Sequence, residues 1–412
     1  VSDVGDDPVE EFRQEEADRA ASRRMLPYFV VAGMMSLGYG SIYTLLADLR
    51  DELGFSESQL GVVVGAGFFG GFFSQVFLSR FADRGYSALM VRAGLIIASA
   101  AMLATVFAQE LWAFIGARLL LGLGSGMVGP AIRRVVIRQD PQRIGANLGK
   151  QGAFDITGFV LGPLVAAVFK EIGGLRAPFA VLSVMFVGAL LVALRLDLSA
   201  EAEDLGADRR VLRRLLAVRP MRAALCSGIA FYITIGMFEA VWAILLRDQG
   251  ASTRLIGFTL SLFTVPMIFL APYGGRVAQA RGPLRMASIS IAVATLCTLS
   301  YGFISALWLL LFMSIVHAIA DSYTMPANQV AVALSSPPGL VAAGQGLLGA
   351  VGVAVAGIVG VLAGVVYDGV GREVLFSGTA IAMAVFLALA LVLGAELRRP
   401  VAVQGRPAPT GH

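Results

Sequence analysis

The chain has 412 residues, 57% hydrophobic and only 15% charged, with a mean hydropathy of +0.78 and a formal net charge of +4. So few polar side chains cannot coat a water-soluble globule of that size, which excludes a soluble domain and leaves a bilayer as the solvent. The basic residues are scattered through loops without interleaved aromatics, which excludes a nucleic-acid-binding stripe.

A helix crosses the hydrocarbon core in roughly 20 apolar residues at about 1.5 Å each. Twelve runs of that length follow one another, at 26–49, 58–79, 87–108, 111–133, 147–169, 177–196, 223–246, 255–276, 284–304, 306–330, 341–366 and 374–394. They are continuous and rich in Ala, Leu and Gly, whereas spanning strands alternate over about ten residues, so the expected class is an all-α membrane protein of twelve transmembrane helices. Residues 1–25 form an acidic polar tail, and the long first run lacks a small-residue cleavage site, so it is expected to stay as an anchor. That run carries Ser36, Tyr39 and Tyr43 on one face, a candidate substrate surface.

After the second run comes "SRFADRG", residues 79–85, a charged knot containing Asp83, Arg84 and Gly85. In the fourth run, "RLLLGLGSG" places Arg118, Gly122 and Ser125 on one face. Gly124, Gly126 and Gly129 spell a dinucleotide fingerprint there, but no strand precedes them and close helix packing explains them better. The fifth run bears a stripe of Gln151, Asp155, Gly158 and Gly162, ending in "GFVLGP" at Pro163. A polar, Arg-rich link at 197–222 separates six runs from six. The seventh run has Tyr232, Gly236 and Glu239 on one face, with Trp242 close by. The tenth has Ser314, His317 and Asp321 a turn apart, a polar face able to relay a proton or to lock the helix. Cys226 and Cys297 both fall inside runs, so neither a disulfide framework nor a metal site is expected, and no cofactor is implied.

Sliding the second half back by 196 positions matches Gly250 to Gly54, Ser252 to Ser56, Gly257 to Gly61, Ala278 to Ala82, Pro326 to Pro130, Ala327 to Ala131 and Pro337 to Pro141. Six is even, so the copies point the same way and form a parallel repeat, a 26–196 bundle and a 223–394 bundle with a tail at 395–412. With the amino terminus inside, only Arg50, Lys170, Arg176, Arg247, Arg254 and Arg372 fall outside and Arg118 lies within a span, so the positive-inside rule places both termini in the cytoplasm.

Two six-span halves, a long middle loop and a charged knot after the second span resemble the major facilitator superfamily over nearly the whole chain. The family's loop reads glycine, three residues, Asp-Arg, one residue, glycine, then basic residues. "SRFADRG" keeps Asp83 and Arg84 but has Ser79 for the first glycine and lacks one residue before Gly85. The later copy, "GGRVAQARG", keeps Gly275 and Gly282 but holds Gln279 and Ala280 where Asp-Arg would stand, so the first copy is expected to be the functional one. The resemblance places Asp83 by the start of the eleventh span, after "SSPPG", where unpaired N–H groups favour a carboxylate and a latch between halves would form. "GFVLGP" is similar to the motif of the drug/proton antiporter branch, although "LVAA" follows where a glycine pair is usual.

By resemblance the first, fourth, seventh and tenth spans line a central cavity. Ser36, Tyr39, Tyr43, Arg118, Ser125, Tyr232, Gly236, Glu239, Trp242, Ser314, His317 and Asp321 are its candidate lining. Ionisable groups in the bilayer cost about 2.5–3.5 kcal/mol each on insertion scales. Asp155, Glu239, His317, Asp321 and Arg118 are therefore the candidates for proton coupling. The expected activity is proton-coupled export of a small hydrophobic or amphipathic compound, by a monomer whose partners are substrate, protons and lipid. The alternatives are proton-coupled import of a metabolite or organic anion, with Arg118 as the anion's partner, and a non-transporting receptor or assembly factor. No run carries a catalytic spacing, so an enzyme is not expected.

Overall fold

The computed structural model describes the backbone of residues 8–42, 45, 49, 52–55, 57–198, 211–251 and 253–400. Within these, the side chains of 8–22, 57, 58, 61, 239, 243, 253, 254, 256–258, 260–262 and 368 are outside the description. Twelve long helices run through it: α1 (Pro8–Gly40), α2 (Glu57–Phe77), α3 (Ser87–Phe107), α4 (Leu111–Gln139), α5 (Ile144–Gly173), α6 (Ala177–Arg195), α7 (Arg219–Asp248), α8 (Thr253–Arg281), α9 (Pro283–Phe303), α10 (Leu307–Ser335), α11 (Val341–Gly369) and α12 (Arg372–Leu393). No strand occurs among the described residues. Nine stretches among them are long and apolar enough to cross a membrane, the first running through both α2 and α3. Helix is the expected solution in lipid, because every backbone polar group must be satisfied within the segment. α1 begins at Pro8, so part of the polar tail joins the first span as one helix.

Packing repeats with the sequence. α1 lies on α5, α2 on α4 and α3 on both α4 and α6; in the second half α7 lies on α11, α8 on α10 and α9 on both α10 and α12. The halves meet through α5 against α8 and α2 against α11, two contacts that the repeat exchanges. Lipid offers no hydrophobic drive between helices, so association relies on close backbone approach. At Gly158 and Gly162 the backbone of α5 lies against α1, and an added Cβ would collide with the carbonyls of Gly33 and Leu37. Leucine and valine on the outer faces, such as Val184 and Val361 at 71% exposure each, are left for the hydrocarbon.

Candidate functional site

Between the halves lies a cavity of about 220 Å³. The first half contributes Ser36 from α1, Gln75 from α2, Ser125 and Arg133 from α4, and Asp155 from α5. The second contributes Tyr232 from α7, Gln329 from α10 and Gln345 from α11. Met35, Val128, Leu348 and Val353 make the apolar wall. Among the described residues, Arg133 and Asp155 are the only charged ones lining it, their nearest atoms 3.8 Å apart and their side chains 20% and 24% exposed. That separation is an ion pair rather than a hydrogen bond, so the guanidinium fork is not closed by its carboxylate. Gln345 Nε2 donates to the Gln329 carbonyl at 2.8 Å, tying α11 to α10 beside the cavity.

Of the sequence candidates, Ser36, Ser125, Tyr232 and Asp155 line this cavity. Tyr43 and the Glu239 side chain lie outside the described residues. The others sit elsewhere. Arg118 is buried, its guanidinium 4.8 Å from the centroid of the Tyr39 ring and donating to the Tyr39 carbonyl at 3.5 Å. Gly236 lies against the α11 backbone at Ala356, where a side chain would clash. Trp242 stacks on Phe238 at 4.3 Å and donates to Thr259 at 3.4 Å, inside the core of the second half. Ser314 donates to the Leu311 carbonyl at 2.7 Å.

His317 and Asp321 face neighbouring helices of their own half. His317 stacks on Tyr301 of α9, whose hydroxyl is 3.1 Å from Nδ1, and its Nε2 lies 3.3 Å from Thr234 of α7 and 3.6 Å from Asp321. Hydroxyls on α7 and α9 thus receive the His317 ring, while both Asp321 carboxylate oxygens are buried without a hydrogen-bond partner, and the cavity contact of α10 falls to Gln329, further along the helix. Arg133 and Gln329 stand 196 positions apart, as do Ser36 and Tyr232. Reading three residues on from the matched Pro130 and Pro326 would have found the first of these pairs.

At one end of the molecule Asp83 bridges the halves. Its Oδ1 accepts the Ala342 N–H at 2.9 Å and its Oδ2 the Ala343 N–H at 2.8 Å, both in the first turn of α11. Arg134 Nε lies 3.0 Å from Oδ1, Nη2 donates to the Asp83 carbonyl at 3.2 Å, and Nη1 donates to Ser87 at 3.4 Å. Carboxylate and guanidinium are both essentially fully buried. Burial pushes the Asp83 carboxyl up to about 6, opposed by the two amides and by Arg134. The turn carrying it closes through Gly85 at φ +87°, a conformation that disfavours a side chain. Arg84 lies over the Phe81 ring at 5.7 Å, and the cation paired with the carboxylate is Arg134.

The worn copy of the knot also bridges the halves. Gln279 Oε1 accepts the Gly145 N–H at 2.8 Å in the first turn of α5, and its Nε2 donates to the Gln142 carbonyl at 2.7 Å. Gly145 and Gly275 meet backbone to backbone beside it, and a Cβ on either would collide with the other's carbonyl.

This geometry can be set beside known proteins. A model of the Major Facilitator Superfamily matches residues 28–241 and 223–412. The chain belongs to the Major Facilitator Superfamily. Among curated relatives, a multidrug resistance protein MdtG of Serratia proteamaculans is 24% identical over 261 residues, 61% of this chain and 64% of that protein. The MdtG protein of Enterobacter lignolyticus is 26% identical over 264 residues, 61% of this chain and 62% of the relative. The matched region therefore spans less than two thirds of either relative's length. The crystal structure of the human organic anion transporter MFSD10 (TETRAN) shares the fold, with a TM-score of 0.64 at 17% identity over 90% of this chain and 99% of that one. The superfamily's twelve-helix architecture accounts for the paired contacts of α1 to α6 and α7 to α12.

Proposed function

We propose that this protein exports small amphipathic compounds across the cell membrane by alternating access, in exchange for protons bound at Asp155. The observation that carries the reading is a cavity lying between two repeated halves, with the Arg133 and Asp155 pair in its wall. Its mixed lining, Met35, Val128, Leu348 and Val353 beside hydroxyls and carboxamides, suits a cargo with an apolar body and polar ends. The curated relatives are named for multidrug resistance, which supports export. Opening the cavity at the knot end requires the Asp83 and Gln279 contacts to part, and reclosing them resets the cycle.

Protons enter through charge accounting. An ionised Asp155 pairs with Arg133 and attracts a cationic group, whereas a protonated one does neither, so proton and cargo compete for the same oxygen atoms. Arg118, His317 and Asp321, packed away from this cavity, are structural in this reading. The test is reconstitution in liposomes with an imposed pH gradient and a lipophilic dye cation, ethidium. The parent is expected to drive ethidium against its own gradient, and Asp155→Asn to lose at least tenfold of that uphill movement while keeping downhill exchange. Uphill transport undiminished in Asp155→Asn would remove Asp155 from coupling.

A further inference from the structure

The cavity also carries information about the charge of its cargo, on the assumption that the transport reading above holds. Its wall contains one guanidinium and one carboxylate, 3.8 Å apart, both partly exposed to the space and both contributed by the first half. No other charged residue among the described ones lines it. The ion pair is longer than a hydrogen bond, so the Nη2 end of the partly exposed guanidinium is not closed by its carboxylate.

Consider what three kinds of molecule would do there. A cation seated on Asp155 draws the carboxylate off Arg133 and leaves that charge, which no accessible pH removes, facing both the cation and a low-dielectric wall. An anion seated on Arg133 leaves the carboxylate of Asp155 in the same position unless a proton comes with it. A molecule bearing both an acidic and a basic group offers each residue a counter-charge and strands neither. The hydroxyls of Ser36, Ser125 and Tyr232 and the amide of Gln75 surround the pair as neutral hydrogen-bonding groups that add no net charge.

We infer that the cavity selects zwitterionic amphiphiles, with the cargo's acidic group on Arg133 and its basic group on Asp155. A proton reaching Asp155 then expels only the basic end, which keeps the exchange of the reading above.

Rhodamine B, a zwitterion at neutral pH, and rhodamine 6G, an ethyl ester of the same dye class carrying only the cation, are matched probes; fluorescein supplies the anion alone. Downhill exchange of each dye is measured in liposomes holding the parent, Arg133→Gln, Arg133→Lys and the double variant Arg133→Gln with Asp155→Asn. The parent is expected to move rhodamine B at least tenfold faster than rhodamine 6G or fluorescein. Arg133→Gln is expected to reverse the order of the first two dyes, Arg133→Lys to keep it, and the double variant to lose discrimination while still moving dye. A merely structural arginine would lower all three dyes together. Equal rates for the two rhodamines in the parent, or an unchanged order in Arg133→Gln, overturn the inference and leave the transporter reading standing. A parent that moves none of the three dyes overturns both.

Discussion

Asp83 and Gln279 occupy matching places, 196 positions apart, and reach the first turns of α11 and α5. One contact is ionic and the other neutral. Behind Asp83 stands the buried Arg134, and behind Gln279 the repeat places Val330, fully buried in a cluster with Ile137, Ile144 and Leu148. The carboxylate needs its arginine, because two helix-end amides alone do not offset the cost of dehydrating a charge. The carboxamide needs none, being both acceptor and donor. Duplication has kept the geometry of the bridge and let its charge differ, so the ionic share of closure is carried by one side.

Four substitutions would break or sharpen this comparison. Each is read as the distance between paired spin labels, at Tyr86 and Pro338 across the Asp83 contact and at Gln142 and Arg281 across the Gln279 contact. Arg134→Met strands a buried carboxylate and is expected to cost about 3–5 kcal/mol, moving the first pair to the separated distance; an unchanged distribution would show the arginine to be dispensable. Asp83→Asn keeps an acceptor but loses charge, an expected cost of about 1.5–3 kcal/mol and a mixed distribution. A narrow, parent-like one would mean that shape, not charge, holds this side.

On the neutral side, Gly145→Val forces side-chain atoms against the Gly275 carbonyl at about 1–3 kcal/mol, and should widen the second pair more than the first. Gln279→Ala removes two neutral hydrogen bonds to the first half, and a loss of about 0.5–1.5 kcal/mol per bond is expected. It should leave the first pair nearly untouched at any salt concentration. A larger effect from Gln279→Ala than from Asp83→Asn would invert the comparison.

The fold was legible because a bilayer permits few solutions: runs of the right length become helices, and glycines at 158 and 162 mark where two of them touch. Asp83 could be placed beside α11 through family resemblance, and Asp155 was suspect because charge in a span is costly. Arg133 and Arg134 escaped notice because "AIRRVVIRQ" reads as the basic flank of a span, and composition does not say which of two neighbours turns inward. Gln279 was discounted for having lost its charge, although what its position uses is hydrogen bonding. His317 and Asp321 do share a face, but the helix that this face meets depends on how α10 is rotated in its bundle, which periodicity leaves open.

Arg133 and Arg134 are consecutive, yet one guanidinium stands in the cavity wall and the next is clamped under the knot. A peptide unit joining two residues inside a helix is stiff, and neighbouring side chains leave the axis about 100° apart. Any roll of α4 that reseats the first on an incoming molecule must therefore tug the second against its carboxylate. On the transport reading, the seat of a cargo in the cavity and the bolt under the knot are thus fixed to one rod, a single residue apart along its axis.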